Sequence, residues 1–174
     1  FLEKVNGMYQ GAAFHFLKGF SSGNIGLMVT SEGSMYTGGS NRGWGSWGTK
    51  LDSVERVDWT GKIPFEIHQM RAKPDGFELT FTQPIDPASA KSESFSCSAY
   101  TYRYSKGYGS PELENVAPEI EVASVAADGL SLRLKLTPLI KGHVHELEAP
   151  GLRSTKGLNL LHNTAYYTLN EIPK

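Results

Sequence analysis

Three observations predict an all-β fold, with an antiparallel sandwich over the larger part of the chain. Short runs rich in Val, Ile, Thr, Phe and Tyr alternate apolar and polar residues. The clearest are Phe77-Glu78-Leu79-Thr80-Phe81-Thr82, and Leu130, Leu132, Leu134 and Leu136 set against Ser131, Arg133 and Lys135. Nineteen glycines and nine prolines cut the 174 residues into short segments bounded by turn signals. Helical periodicity is scarce, and only Pro87-Ala88-Ser89-Ala90 suggests a single turn.

Taken in order, Ala12 to Leu17 is expected to pair with Ile25 to Thr30, and Ser31-Glu32-Gly33 to turn into a strand over Ser34 to Gly38. The segment 38–48, GGSNRGWGSWG, is too rich in glycine for a strand and too aromatic for a linker. Leu51 to Trp59 reads as a strand closed by Thr60-Gly61, and the domain boundary is placed there. Residues 1–60 thus form an irregular β segment and 61–174 an orderly one. In the second part, Phe65 to Arg71 is a strand ended by the turn Lys73-Pro74-Asp75-Gly76. Further strands follow at Phe77 to Thr82, Ser94 to Tyr104 and Ile120 to Val125. Asp128-Gly129 turns into the leucine-alternating strand, and Val144 to Leu147 and Tyr166 to Leu169 complete the set. Six or seven strands at this spacing, each with one apolar face, argue for two stacked antiparallel sheets.

Bulk composition narrows the function classes. Seventeen Lys and Arg against eighteen Asp and Glu give a formal charge of −1, which offers no electrostatic footprint for nucleic acid. No apolar run approaches ~18 residues, so no membrane span is expected. The single Cys97 has no partner for an internal disulfide and sits inside a predicted strand, where it reads as a small buried hydrophobe. The chain opens on Phe1-Leu2-Glu3 rather than Met, as a processed protein or an excised piece would.

Several stretches carry a family resemblance. GFELTFTQPIDPASA (76–90), DGLSLRLKLTPLIKGHVHELEAPGLRSTKGLNLL (128–161) and AYYTLNEIP (165–173) resemble bacterial immunoglobulin-like modules. Upstream, SEGSMYTGGSNRGWGSWG (31–48) and VERVDWTGKIPFEIHQMRAKPDGFELTF (54–81) are similar to the C-terminal region of glucose/sorbosone dehydrogenase-like proteins. Those are β-propellers of the pyrroloquinoline-quinone (PQQ) type, often joined to such a module and sometimes to a c-type cytochrome. The resemblance implies an immunoglobulin-like sandwich over 61–174, preceded by a partial propeller blade over 1–60. It also implies a periplasmic or extracellular parent whose PQQ and calcium sit on other blades, with no cofactor in this chain. One departure stands out: His145 occupies a position in the penultimate strand where an aromatic residue is common.

Candidate sites follow from side-chain chemistry. Arg42, Trp44 and Trp47, in a glycine-rich loop, offer a cation and two indoles that would stack on a sugar or quinone plane. The competing reading has the indoles wedged between the two parts of the chain. Tyr100, Tyr102 and Tyr104 alternate along one predicted strand, with Tyr108 beyond, and would make a flat face for carbohydrate, or simply fill a sheet face. His143 and His145, two residues apart, with His162 or Glu146 as a third ligand, are weak metal candidates, and no metal site is assigned. With neither a Gly-x-Ser-x-Gly elbow nor a phosphate loop ahead of a helix, no catalytic residue is assigned. The expected role is a non-catalytic accessory region of a sugar-oxidising dehydrogenase, structural and substrate-recruiting, partnered by the remaining blades or neighbouring domains. The alternatives are an independent carbohydrate-binding module and an adhesion or assembly module.

Overall fold

A computed structural model describes residues 1–41 and 45–174. The chain divides into two units: unit 1 comprises Phe1–His15 and Pro64–Lys174, and unit 2 is Phe16–Ile63. Among the described residues thirteen strands follow in chain order: β1 (Leu2–Val5), β2 (Met8–Phe14), β3 (Asn24–Val29), β4 (Met35–Ser40), β5 (Asp52–Val57), β6 (Ile67–Lys73) and β7 (Gly76–Phe81). Then come β8 (Ser96–Thr101), β9 (Leu113–Val116), β10 (Glu119–Val125), β11 (Ser131–Thr137), β12 (His143–Glu148) and β13 (Thr164–Leu169). Every pairing between these strands is antiparallel. Among the described residues the helix content is two single 3-10 turns, Pro87–Ser89 and Ser92–Ser94, the first capped by the Asp86 carboxylate accepting from Ala88 N at 3.0 Å. Among the described residues no helix is long and apolar enough to cross a membrane.

Unit 1 is sandwich-like. One sheet has the order β1-β2-β13-β12-β8-β9 and the other β10-β11-β7-β6. Alternation decides what lies between them. Phe77, Leu79 and Phe81 of β7 are buried together with Leu132, Leu134 and Leu136 of β11, while Glu78, Thr80, Arg133 and Lys135 on the opposite side are half-buried. From the six-stranded sheet, Ala12, Cys97, Leu147, Ala165, Tyr167 and Leu169 join the same core. The expected leucine alternation therefore holds for three of its four members. Leu130 precedes β11 in the Asp128-Gly129 turn and is exposed, its N–H held by the Asp128 carboxylate at 2.9 Å. The Pro74-Asp75 hairpin forms where expected, and Gly76 is required there: a Cβ at that position would overlap the Leu134 carbonyl oxygen.

Three expectations are corrected. The first fifteen residues belong to the sandwich and not to the segment that follows. β1 and β2 form a hairpin through Asn6-Gly7, both at positive φ (49° and 88°), and β2 then pairs with β13. Asn-Gly is a strong hairpin signal, and the hairpin buries Val5 and Ala12. Accordingly β2 does not pair with β3, which pairs instead with β4. The boundary that does fall near the expected place is Ile63/Pro64. Finally, the tyrosine strand stops at Thr101, and Tyr102 and Tyr104 lie in the connection to β9.

Unit 2 is one three-stranded sheet in the order β3-β4-β5. Among its described residues the buried side chains are those of Ser22 and Thr37, and they form no apolar core.

Candidate functional site

The strand register of the six-stranded sheet brings together a group of side chains that sequence spacing alone does not. In β8, Cys97 and Ala99 point into the core, so Ser96, Ser98 and Tyr100 point outward. In β12, His143, His145 and Leu147 are buried, leaving Val144, Glu146 and Glu148 outside. In β13, Ala165, Tyr167 and Leu169 are buried and Thr164, Tyr166 and Thr168 face out. Glu146 lies directly opposite Ser98 on one side and Tyr166 on the other, while Tyr100 lies opposite Val144. Two phenols on β8 and β13 thus flank a carboxylate on the strand between them.

The electrostatics agree with that geometry. Partial burial, followed by the neighbouring Glu146 charge, raises the Tyr166 phenol above its ordinary value. Burial raises Tyr100 as well, followed by the charges of Glu146 and Glu112. Both hydroxyls therefore remain protonated donors well above neutral pH. Ser96 donates to Glu148 at 3.1 Å. At one end of the group, the His15 ring meets Tyr166 edge-on at 6.1 Å, and the His162 ring lies 6.1 Å from His15. His162 is fixed by Glu66, which meets its ring Nδ1 at 2.7 Å and accepts from its backbone N–H at 3.0 Å.

The other sequence candidates are dispersed. Tyr102, Tyr104 and Tyr108 are exposed in the β8–β9 connection, where the Ser110 hydroxyl accepts from Arg103 N at 3.1 Å, so the tyrosines do not form one flat face. Trp47 is fully exposed in unit 2, and Arg42 and Trp44 lie outside the described residues. Asn41 organises the flanks of that loop: its carboxamide accepts from Gly23 N at 2.9 Å and donates to the carbonyls of Gly48 (2.8 Å) and Lys50 (2.7 Å).

His143 and His145 point into the sandwich instead of standing at its surface, and His162 is engaged elsewhere. The His145 ring packs edge-on against Phe77 at 5.4 Å, and its Nε2 accepts from Ile140 N at 3.4 Å. Its Nδ1 has no hydrogen-bond partner among the described residues, and burial lowers its pKa to about 4. Among the described residues, no group of three or more His, Cys, Asp or Glu side chains is placed to hold a metal ion. The Cys97 thiol is pushed up to about 12 by burial and is inert as a nucleophile at neutral pH.

Unit 2 presents a second candidate surface. All six residues of β3 are exposed, including Ile25, Leu27, Met28 and Val29. Beside them, Phe16, Leu17, Phe20, Ile25, Leu27 and Met35 line a shallow apolar hollow of about 250 Å³. β3 is also an edge strand, with one side of its backbone unpaired in the sheet.

Sequence reasoning found Tyr100 but missed Glu146 and Tyr166 as its neighbours. The double tyrosine Tyr166-Tyr167, with one ring in the core and one outside, was the available signal.

No family model matches the chain, and no curated protein matches it. Two solved structures do. One is the structure of surface layer protein SbsC, domains 1-6, at 20% identity and a TM-score of 0.47 over 64% of this chain and 14% of that one. The other is the crystal structure of the S-layer protein rSbsC, at 22% identity and a TM-score of 0.48 over 62% of this chain and 14% of that one. The chain thus spans about one-seventh of either protein's length, and overlaps of this size assign neither a fold family nor a role.

Proposed function

We propose that this chain is the non-catalytic C-terminal accessory region of a periplasmic or extracellular sugar-oxidising dehydrogenase of the PQQ type. In this reading unit 1 is an immunoglobulin-like sandwich and unit 2 is part of a propeller blade completed by other segments of the parent protein. The observation that carries the proposal is the apolar surface of unit 2. A sheet is stable when at least one face is buried against another layer. Here Ile25, Leu27, Met28, Val29, Leu51 and Val54 are all exposed, and the buried ones among the unit's described residues are a serine and a threonine. Covering six such side chains stabilises by on the order of 10 kcal/mol, far more than a surface ornament requires. Neighbouring blades supply such a cover, because propeller blades pack face to face around their axis. The resemblance of 31–81 to the propeller-to-module junction points to the same partner. PQQ and calcium belong to the other blades in this reading. No chemistry is assigned to residues of this chain in this reading.

The test compares this chain with the same chain extended by whatever its gene encodes upstream. In the extended protein the amides of β3, β4 and β5 should exchange with solvent at least about 100-fold more slowly, as expected for a newly buried sheet. With PQQ, calcium and an artificial electron acceptor, the extended protein should oxidise sugar while this chain alone is inert. Unchanged exchange in unit 2, or dye reduction by this chain alone, would overturn the proposal.

A further inference from the structure

On a different surface from the one that carries the accessory role, we infer that the outer face of the six-stranded sheet binds a neutral pyranosyl glycan across Tyr100, Glu146 and Tyr166. The argument starts from spacing. Tyr100 and Tyr166 stand on β8 and β13 with β12 between them, two strand spacings apart across the sheet and offset by two residues along it, or about 12 Å. That span is roughly the length of two linked pyranose rings. Two half-buried phenol rings so placed offer apolar faces to the axial C–H groups of alternate sugars, at little conformational cost because the strands fix them.

Between the rings, Glu146 provides carboxylate oxygens that accept from sugar hydroxyls, bonds about twice as strong as neutral ones. The outward Ser98, opposite Glu146, adds a hydroxyl that both donates and accepts. Glu148, tied to Ser96, continues the polar track along the same face.

Charge selects the ligand class. Neither lysine nor arginine occurs in β8, β12 or β13. Glu112, Glu146 and Glu148 give the face a negative potential that repels acidic or sulfated polymers. A cationic peptide is the other occupant that charge alone would allow. The aromatic pair favours the sugar, because phenol rings present apolar faces to pyranose C–H groups. The site lies wholly within unit 1, so it does not depend on what covers unit 2.

The experiment is affinity electrophoresis of the full chain in native gels containing hydroxyethyl cellulose, xyloglucan or galactomannan. Alginate gels and an oligolysine titration serve as charged comparisons. Retardation is expected in at least one neutral polymer and not in alginate. Tyr100→Ala and Tyr166→Ala should each weaken it at least about fivefold. Because a strand tyrosine also contributes to folding, Glu146→Gln provides a shape-conserving variant, expected to weaken binding severalfold with an unchanged melting temperature. Tyr166→Phe, which keeps the ring, should retain most of the affinity. Any of three results overturns the inference: no retardation in any neutral polymer, retardation insensitive to all three losses, or binding of oligolysine or alginate in place of the neutral glycans.

Discussion

Acid should destabilise unit 1 in a pH range where few other groups respond, and the cause should be one side chain. His145 is fully buried, packs on Phe77 and has one ring nitrogen without a hydrogen-bond partner among the described residues. Its pKa falls from the ordinary 6.5 to about 4, chiefly because burial penalises the charged ring, with further repulsion from His143. The unfolded chain therefore takes up a proton near pH 6.5, while the folded chain resists until about pH 4. Stability from this group is complete above pH 6.5, declines as pH falls towards 4 and levels off below. With those two values, linkage gives a loss of about 2 kcal/mol at pH 5 and about 3 kcal/mol at pH 4.

The window from pH 7 to 5 is the cleaner one, because most carboxylates titrate below it. The assay is urea unfolding at several pH values. It should be followed by tyrosine near-ultraviolet dichroism, because the tryptophans, Trp44, Trp47 and Trp59, all belong to unit 2. His145→Phe keeps an aromatic ring against Phe77 and removes the titration. It should lose the hydrogen bond to Ile140 N, about 1 kcal/mol, at every pH alike. Between pH 7 and 5 its stability should change by less than about 0.5 kcal/mol from this source. Parallel pH profiles for the two proteins, or an imidazole resonance of His145 titrating near 6.5 in the folded state, would refute the reasoning.

Other perturbations have equally definite outcomes. Gly76→Ala places a methyl against the Leu134 carbonyl and should lower stability by at least about 2 kcal/mol, read as a shifted urea midpoint. Glu3 accepts from the Tyr167 hydroxyl at 2.5 Å and from Ala72 N at 2.8 Å, so Glu3→Ala should cost about 2–3 kcal/mol in the same assay. Leu134→Ala should cost about 2–5 kcal/mol, whereas Leu27→Ala in the uncovered sheet should stay within about 0.5 kcal/mol when this chain is studied alone. Near-equal effects of those two leucines would contradict the division into a cored and a coreless unit.

The second half of the chain was more legible than the first, for a physical reason. Where two sheets sandwich a core, alternation is enforced, and Phe77-Glu78-Leu79 or Leu132-Arg133-Leu134 records it directly. Turn chemistry did the rest at Pro74-Asp75-Gly76 and Asp128-Gly129. In unit 2 no core filters the pattern, so Asn24 to Val29 is exposed throughout and gives no alternation to read. Asn6-Gly7 marks the β1–β2 hairpin locally, but nothing local shows that it docks on β13, which lies some 150 residues away. The same non-locality hid the candidate site. Tyr100 is visible in sequence as one of a row of tyrosines, but Glu146 and Tyr166 become its neighbours only through the β8-β12-β13 register. Tyr102 and Tyr104 kept the period of a strand after the strand had ended, because the turn-forming Ser105-Lys106-Gly107 lies beyond them.

The placement of Phe1–His15 within unit 1 makes unit 2 an insertion, entered after β2 and left before β6. A truncation that begins at residue 61 would remove the two strands at one edge of the six-stranded sheet and leave the flank of β13 bare and prone to self-association. Excising 16–63 and bridging the gap would spare every ladder of the sandwich, and it is the cut that a protein engineer isolating this module should make.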